Sequence, residues 1–375
     1  MEAAAATLAA SVCEESSMLD IEKFEKIQKR FTALWDGEIM DRCCISAFAF
    51  DDETNAEFYT PSDESMDRKY FLTDPEMIRK RHMKKFANTY FAGDAFPLVN
   101  LNMGPSGHAA FVKGVEVDYT DTMWYHPIME DELDPEKIVL DPDSYLYRQT
   151  FNAAKYLCEE AEGEYLVSMP DISGNIDVLG SLRTATSTLL DMISDEKTVI
   201  ACLRRIQTIW EESTSKIYDY LKDYNFGGSS IGWLNTWAPG FHNQMQADMS
   251  VMFSNEYYET FIREELEKQS SFVDYALYHF DGVEQIRHLD TLLSLDRLRM
   301  IQWTSVVGQP SPLNYIPVLR RIQEAGCGLL LQLKPEEVKP MLENLSSKGL
   351  FITVNTKDKD EADEMIKLAE RLTRE

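Results

Sequence analysis

The sequence predicts an α/β fold: a (β/α)8 TIM barrel with an N-terminal helical extension and one large loop excursion. Three observations lead there. From Phe96 onward about eight short apolar runs alternate with amphipathic segments of ten or more residues, the rhythm of parallel βαβ units. No Gly-rich dinucleotide fingerprint follows any of those runs, which argues against a doubly wound sheet. The length, 375 residues, suits one large barrel, and 44% apolar and 11% aromatic content is enough to fill its core. The domain reading is a disordered leader over residues 1–18 and a single barrel domain over 19–375.

In chain order, residues 19–38 place Ile21, Phe24, Ile27, Phe31 and Leu34 at helical spacing. Cys43 to Phe50 reads as a strand, and the acidic stretch 51–68 as an exposed loop. Asp74-Pro75 opens a helix to about Phe86. Phe96 to Asn102 is the next strand, and Gly104-Pro105-Ser106-Gly107 stops it. Residues 114–145 carry many acids, several prolines and Trp124-Tyr125-His126-Pro127, and form the excursion. A regular alternation follows: helix 149–161, strand 165–169, a helix at 176–191, and a long helix from Ser194 to Leu221 with Ser194 as N-cap. Short strands at 231–234 and 244–248 precede a helix at 254–267. The last third reads strand 274–279, helix 283–293, strand 300–305 and helix 313–325. It closes with strand 328–333, helix 335–345, strand 350–355 and helix 360–372.

Lysine plus arginine is 37 and aspartate plus glutamate is 64, a formal net charge of −27. Such a surface repels phosphate backbones and anionic bilayers, so neither nucleic acid nor a membrane is expected as partner. No run approaches the ~20 apolar residues of a membrane span, and the first residues lack the basic start of a secretory signal. The cysteines, Cys13, Cys43, Cys44, Cys158, Cys202 and Cys327, show no paired spacing. They read as reduced, buried thiols, and the whole as a cytoplasmic protein.

In a barrel of this kind, catalytic groups stand at the C-terminal ends of the strands. The strand ends offer Asn102, Asp171, Trp237, Gln246 and Asp248, then Tyr278-His279-Phe280-Asp281-Gly282, then Gln302, Trp303 and Gln309. This rim is polar but not basic, and suits a neutral or cationic organic substrate. His279 is its sharpest member. It reads as a core histidine, a metal ligand or a general acid or base. Asp281, two residues on, shares its strand face if the strand continues. Asp248, one strand earlier, can approach it across the rim, and His279 with Asp248 or Asp281 gives zinc a site with an open position. His288 and Asp290 follow on the next helix. His108, His126 and His242 stand in loops and read as exposed.

The same residues carry a resemblance. Tyr278-His279-Phe280-Asp281-Gly282, Arg287-His288-Leu289-Asp290-Thr291-Leu292-Leu293 and Ile301-Gln302-Trp303 resemble the uroporphyrinogen decarboxylase-like superfamily, especially a bacterial branch tied to corrinoid-dependent methyl transfer. Phe91-Ala92-Gly93-Asp94-Ala95-Phe96-Pro97, Asn102-Met103-Gly104-Pro105 and Asp177-Val178-Leu179-Gly180-Ser181-Leu182-Arg183 extend it. Gln246-Ala247-Asp248-Met249-Ser250 and Lys348-Gly349-Leu350-Phe351-Ile352 complete it, over roughly residues 20–372.

The resemblance implies a (β/α)8 barrel, often dimeric. The Arg-Gln-Ala-Gly-Arg and Ser-Asp-Ile-Leu elements of the porphyrinogen decarboxylases are absent, and so are the arginines a multiply carboxylated tetrapyrrole needs. Zinc-dependent methyltransferases of the superfamily use a His-x-Cys pair and a Cys near the last strand. His279 matches their His, Asp281 takes the place of the Cys, and Phe351 to Asn355 has none. A zinc site with oxygen ligands suits an ether or amine methyl donor. The expected activity is therefore demethylation of a small O- or N-methyl compound. The methyl group would pass to a corrinoid (cobalamin) on a separate protein, since no Asp-x-His-x-x-Gly cobalamin signature occurs here. Here His279, Asp248 and Asp281 are catalytic. Trp237, Tyr278 and Trp303 shape an apolar slot, and Gln246, Gln302, Gln309, His288, Asn102 and Asp171 line the substrate. The rivals are a carboxy-lyase acting on a small carboxylate and a non-catalytic binding barrel.

Overall fold

The computed structural model describes residues 18–304, 306 and 308–375. The expected leader, apart from Met18, and Cys13 lie outside the described residues. The strands are β1 (Cys44–Phe50), β2 (Thr89–Gly93), β3 (Leu98–Val99), β4 (Val117–Tyr119), β5 (Met123–Tyr125) and β6 (Leu166–Val167). They continue with β7 (His242–Met245), β8 (Tyr275–Phe280), β9 (Leu298–Trp303), β10 (Gly328–Leu333) and β11 (Leu350–Thr356). Seven form one sheet in the order β2-β1-β11-β10-β9-β8-β7. All its neighbours run parallel except β2, which lies antiparallel on β1. β3 and β6 pair in parallel on their own, and β4 and β5 form a hairpin inside the excursion.

Among the described residues, backbone ladders do not close this α/β sheet into the expected ring, and two local features explain why. β2 occupies the free edge of β1, where β3 would pair in a closed barrel. On the other side, residues 229–231 wedge between β6 and β7. Met169 bridges Ile231 in parallel, and Ser229 bridges Ala238 antiparallel. Side chains span that gap. Asn225 accepts from Val167 N (3.2 Å) and donates to Val167 O (2.7 Å), and Ser229 Oγ accepts from His242 N (2.7 Å).

The two-residue period of the strands sorts the side chains. Tyr278, Phe280, Ile301, Trp303, Leu331, Ile352 and Val354 pack with Val338 and Met341 of helix Pro335–Asn344 and Ala369 of helix Lys359–Leu372. On the alternate positions, Cys44, Leu277, Met300, Leu330 and Phe351 join Phe24, Phe31 and Trp35 of helix Ile21–Trp35. Two residues further along that second face come Ser46, His279, Gln302, Gln332 and Thr353. One face of the sheet is thus apolar where its strands begin, plugged there by the first helix, and polar where they end.

The plug is anchored at both ends. Asp20 caps the helix by accepting from Lys23 N (3.0 Å), and Trp35 Nε1 donates to Trp237 O (2.9 Å). Phe31, fully buried, packs edge-on against Phe96 and Phe351, and its burial contributes about 1.5–3 kcal/mol. Buried Asp94 is shared by Arg30 and Arg42 and accepts from Ile45 N, so no uncompensated charge is left at this joint.

Several expected elements come out differently. Residues 51–68 hold a helix, Asp52–Tyr59, capped by Asp51. The helix expected at 176–191 breaks at Thr184, whose φ is 88°, into Asn175–Arg183 and Ala185–Ser194. The long helix starts at Glu196 and is capped by Asp195, not Ser194. Residues 232–234 form a 3-10 turn rather than a strand, and the segment expected as strand 244–248 is His242–Met245. Among the described residues no helix is long and apolar enough to cross a membrane.

Candidate functional site

The polar end of the sheet is richest where β7 and β8 finish. β8 delivers Leu277 to the apolar plug and His279 to the polar end, and the chain turns at Gly282 with φ +89°. An added Cβ on Gly282 would lie 3.0 Å from Gln309, so both its conformation and its neighbour call for glycine. β7 presents Gln244, with Gln246 just beyond it, and Asp248 then opens the 3-10 turn Asp248–Met252. The two carboxylates flank one imidazole nitrogen. His279 Nε2 lies 3.9 Å from Asp248 Oδ1 and 4.0 Å from Asp281 Oδ1. One ligand atom from each of the three residues falls within 4.8 Å of the others.

The other ring nitrogen is committed. Gln302 Nε2 donates to Thr304 Oγ1 (3.0 Å), which turns its Oε1 toward His279 Nδ1. Thr304 Oγ1 also lies 3.1 Å from Nδ1 and 3.2 Å from Gln302 Oε1. With the Nδ1 proton donated to that amide oxygen, Nε2 turns a lone pair toward the acids. Burial also holds the imidazole below its ordinary pKa, against the pull of Gln302 and Asp281, which favours the neutral ring.

Behind these three lies more negative charge. Asp177 accepts from Met249 N (2.8 Å) and Asp248 N (3.0 Å), so it fixes the turn that carries Asp248. Burial raises Asp177 to about 6, despite those two amides. Burial likewise raises Asp171 to about 6. Asp248 is pushed furthest, to about 9, first by burial and then by Asp177, Asp281 and Asp171. Its Oδ1 is buried without a hydrogen-bond partner. Among the described residues, no lysine or arginine forms an ion pair with any of these four acids.

A chain of amides links the acids to the middle of the sheet end. Trp233 Nε1 donates to Gln244 Oε1 (2.7 Å). Gln244 Nε2 faces Asp171 (2.9 Å), Ser173 Oγ (2.9 Å) and Gln246 Oε1 (3.0 Å). Gln246 Nε2 donates to Asp248 Oδ2 (3.2 Å). The Trp233 ring also meets His279 edge-on, with centroids 5.2 Å apart. Trp233 is in addition a wall of a cavity of about 970 Å³, which extends over Asn102, Gln332, Thr353 and Asn355 toward helix Pro75–Ala87.

The remaining sequence-predicted residues spread out. Asn102 lines the cavity, its Oδ1 accepting from Gly104 N (2.8 Å). Gln309 bridges Val283 N and Glu284 beside Asp281. Three aromatics lie outside the cavity lining. Trp237 is in the apolar plug, edge-on to Phe24, because it follows the wedge rather than a strand end. Tyr278 and Trp303 occupy the alternate strand positions and face the helices. Tyr278 bonds Tyr258 and Gln285, and Trp303 stacks on Phe280. His288 is buried between Ser250 O and Asn255, stacked on Tyr258, where it holds the Asp248 turn to the following helix. Asp290 is exposed and paired with Arg321. His108 and His242 are fully buried rather than exposed, and only His126 stands in solvent.

Asp177, Gln244 and Trp233 were missed by sequence reasoning. The signal for Gln244 was present, since His242-x-Gln244-x-Gln246 alternates as one strand face. Asp177 is a first-turn acid of a short helix, which reads as ordinary helix chemistry.

No family model matches the sequence, and no curated protein matches it. Among solved structures, a methyltransferase from Methanosarcina mazei superposes with a TM-score of 0.59 at 11% identity, covering 92% of this chain and 98% of that one. At that identity the likeness is one of fold.

Proposed function

We propose that this chain is a methyltransferase that demethylates a small O- or N-methyl compound at a metal centre made by His279, Asp248 and Asp281. The methyl group passes to a corrinoid held by a separate protein. The observation that carries the reading is the convergence of three ligand atoms beside a buried, unpartnered carboxylate oxygen, within four acids that no cation neutralises. Such a cluster is costly unless it is protonated or binds a cation. One neutral imidazole with two carboxylates is a zinc-type donor set that leaves a position for substrate. The eight strands with a parallel neighbour, β1, β3, β6 and β7–β11, are read as a (β/α)8 barrel whose ring is interrupted by β2 and by residues 229–231. The fold shared with a methyltransferase supports both readings.

A bound metal would supply Lewis acidity toward an ether oxygen or amine nitrogen. The chain's own groups do the rest. Gln302 keeps the Nε2 lone pair of His279 pointed at the site, Gln246 holds one oxygen of Asp248, and Asp177 sets the Asp248 turn. Trp233 shields His279 on the side of the cavity, where the substrate body resides. Among the described residues no cysteine is placed to accept the methyl group. Cys43, Cys44, Cys158, Cys202 and Cys327 are buried away from the site, and burial raises their thiols, to about 12 for Cys43, Cys158, Cys202 and Cys327. The superfamily resemblance adds a homodimer, which sedimentation would read.

The test is metal analysis of protein purified without chelators, followed by methyl transfer from methoxy and methylamino compounds to free cob(I)alamin. About one zinc per chain is expected, lost in His279→Ala and Asp248→Asn. A folded wild-type protein that neither contains nor takes up zinc sinks the reading. It would leave a carboxy-lyase, for which the cations of the cavity offer a carboxylate partner.

A further inference from the structure

The cavity carries charges that the acid cluster does not explain. Its lining includes Arg81 and Lys85 from helix Pro75–Ala87, Lys334 just after β10 and Lys357 just after β11. In a chain of formal net charge −27, four cations face one space. Among the described residues none of them is paired with a carboxylate. Three acids share the lining; Asp52 is exposed, and the other two are engaged locally. Asp51 accepts from Thr54 N and Oγ1, and Asp121 from Thr120 Oγ1 and Trp124 Nε1.

Aromatic faces hold the two inner cations in place. Lys85 Nζ lies 4.5 Å from the Phe58 ring centre and 5.0 Å from that of Phe50. The Arg81 guanidinium lies 4.3 Å from Phe71 and 5.4 Å from Phe58. Arg81 Nη1 donates to Phe58 O (2.7 Å), while its Nε–H is buried and donates to nothing. Burial first, and then Arg68, lower the half-buried Arg81 guanidinium to about 10, so an anion beside it would be favourable. The same wall carries Phe48 and Phe91, whose rings meet edge-on at 6.0 Å. The volume, about 970 Å³, is at the upper end of small-molecule sites.

We propose that the cavity binds an aromatic carboxylate, its carboxylate on Arg81 and Lys85 and its ring among Phe48, Phe50, Phe58 and Phe91. This rests on the reading of the strand ends as a site for a small organic substrate, and it names the class. The planar fork of Arg81 matches a carboxylate bidentately, and the rings supply stacking that a bare inorganic anion does not use. Lys334 and Lys357, both exposed, stand at the strand ends as an outer attracting pair. Trp233, a wall of this space, stands edge-on to His279.

Isothermal titration of the full-length protein with benzoate, 4-methoxybenzoate, benzamide and inorganic phosphate tests this. Both carboxylates are expected to bind, with benzamide about tenfold weaker or worse. Arg81→Gln and Lys85→Met are each expected to weaken benzoate about tenfold, and His279→Ala to leave it unchanged, so failure of the metal reading and failure of this one are read separately. Should Arg81→Gln not fold, the double variant Lys334→Met with Lys357→Met, on exposed positions, is expected to weaken benzoate about threefold. Benzamide binding as tightly as benzoate, phosphate binding more tightly than either carboxylate, or absent benzoate binding overturns the proposal.

Discussion

Gln302 decides which nitrogen of His279 faces the acids. Its amide is oriented by Thr304, and its oxygen takes the Nδ1 proton. Gln302→Leu frees the ring to take the other tautomer, so zinc affinity is expected to fall about 10–100-fold with the fold retained. Competition with a chromogenic chelator measures it, and unchanged affinity would show that the tautomer is set elsewhere. Glu265 poses a different question. It is 5% exposed on helix Arg263–Phe272, and burial, followed by the nearby Asp177, raises its carboxyl well above the ordinary range. The folded chain therefore binds a proton that the unfolded chain releases above about pH 4. Its contribution is fully present below the unfolded pKa and declines as pH rises toward the folded one, by up to about 1.4 kcal/mol per pH unit. Glu265→Gln should remove that slope, raising the urea midpoint at pH 8 while leaving it nearly unchanged at pH 4. A slope equal to wild type would mean that Glu265 is ionised in the fold.

Elements differ in how openly the sequence declares them. The last four strands and the last two helices were legible because apolar runs and caps agree: helices Pro335–Asn344 and Lys359–Leu372 end within a residue or so of expectation, whereas the helix expected at 283–293 is a 3-10 stretch, Val283–His288, followed by the short helix Leu289–Leu293. His279 was legible for the same reason, since Leu277 and His279 share a face of an unmistakable strand. What period and propensity cannot show is which neighbour an element meets. Arg81 and Lys85 look like the solvent side of an ordinary helix, spaced four apart, and only packing against Phe50 and Phe58 turns them into a cavity wall. Trp237 looked like a strand-end aromatic because residues 231–234, at the end of the wedge, read as a strand. The junction into helix Asn175–Arg183 is a further case. Gly174 has φ +77°, and a Cβ there would fall 2.3 Å from Asp177 Oδ2 and 2.9 Å from Gln246 Cγ. Gly174→Ala should cost roughly 1–2 kcal/mol through the backbone alone. It should also displace both side chains that position Asp248. Methyl transfer and zinc affinity are then expected to fall together, and a variant with full activity would show that the Asp248 turn is held without Asp177.

At the scale of the whole molecule, the question is how the seven-stranded sheet and the β3–β6 pair are held in register. Five consecutive parallel ladders join β7 through β11 to β1, while β3 and β6 stand apart with only each other as strand partners. The two pieces share the acid cluster, because Asp171 follows β6 whereas Gln244 lies on β7 and Gln246 and Asp248 follow it. Their alignment must be fixed to tenths of an ångström for Gln244 Nε2 to meet Asp171 at 2.9 Å. Asn225 is the joint. It is fully buried and satisfies both backbone groups of Val167 on β6, while its own carbonyl oxygen accepts from Trp237 Nε1 (3.1 Å). Asn225→Ala leaves an N–H and a C=O of β6 buried without partners, at roughly 1–3 kcal/mol each. Urea unfolding should show a loss of about 2–4 kcal/mol. Because β6 carries Asp171 toward the site, catalytic turnover should drop more than substrate affinity for the cavity, whose cations come from helix Pro75–Ala87 and from the ends of β10 and β11. A loss below about 1 kcal/mol, or equal losses in turnover and affinity, would mean that the two pieces are aligned by the packing of the plug helix against Phe96 and Phe351, and that the side-chain bridge is incidental.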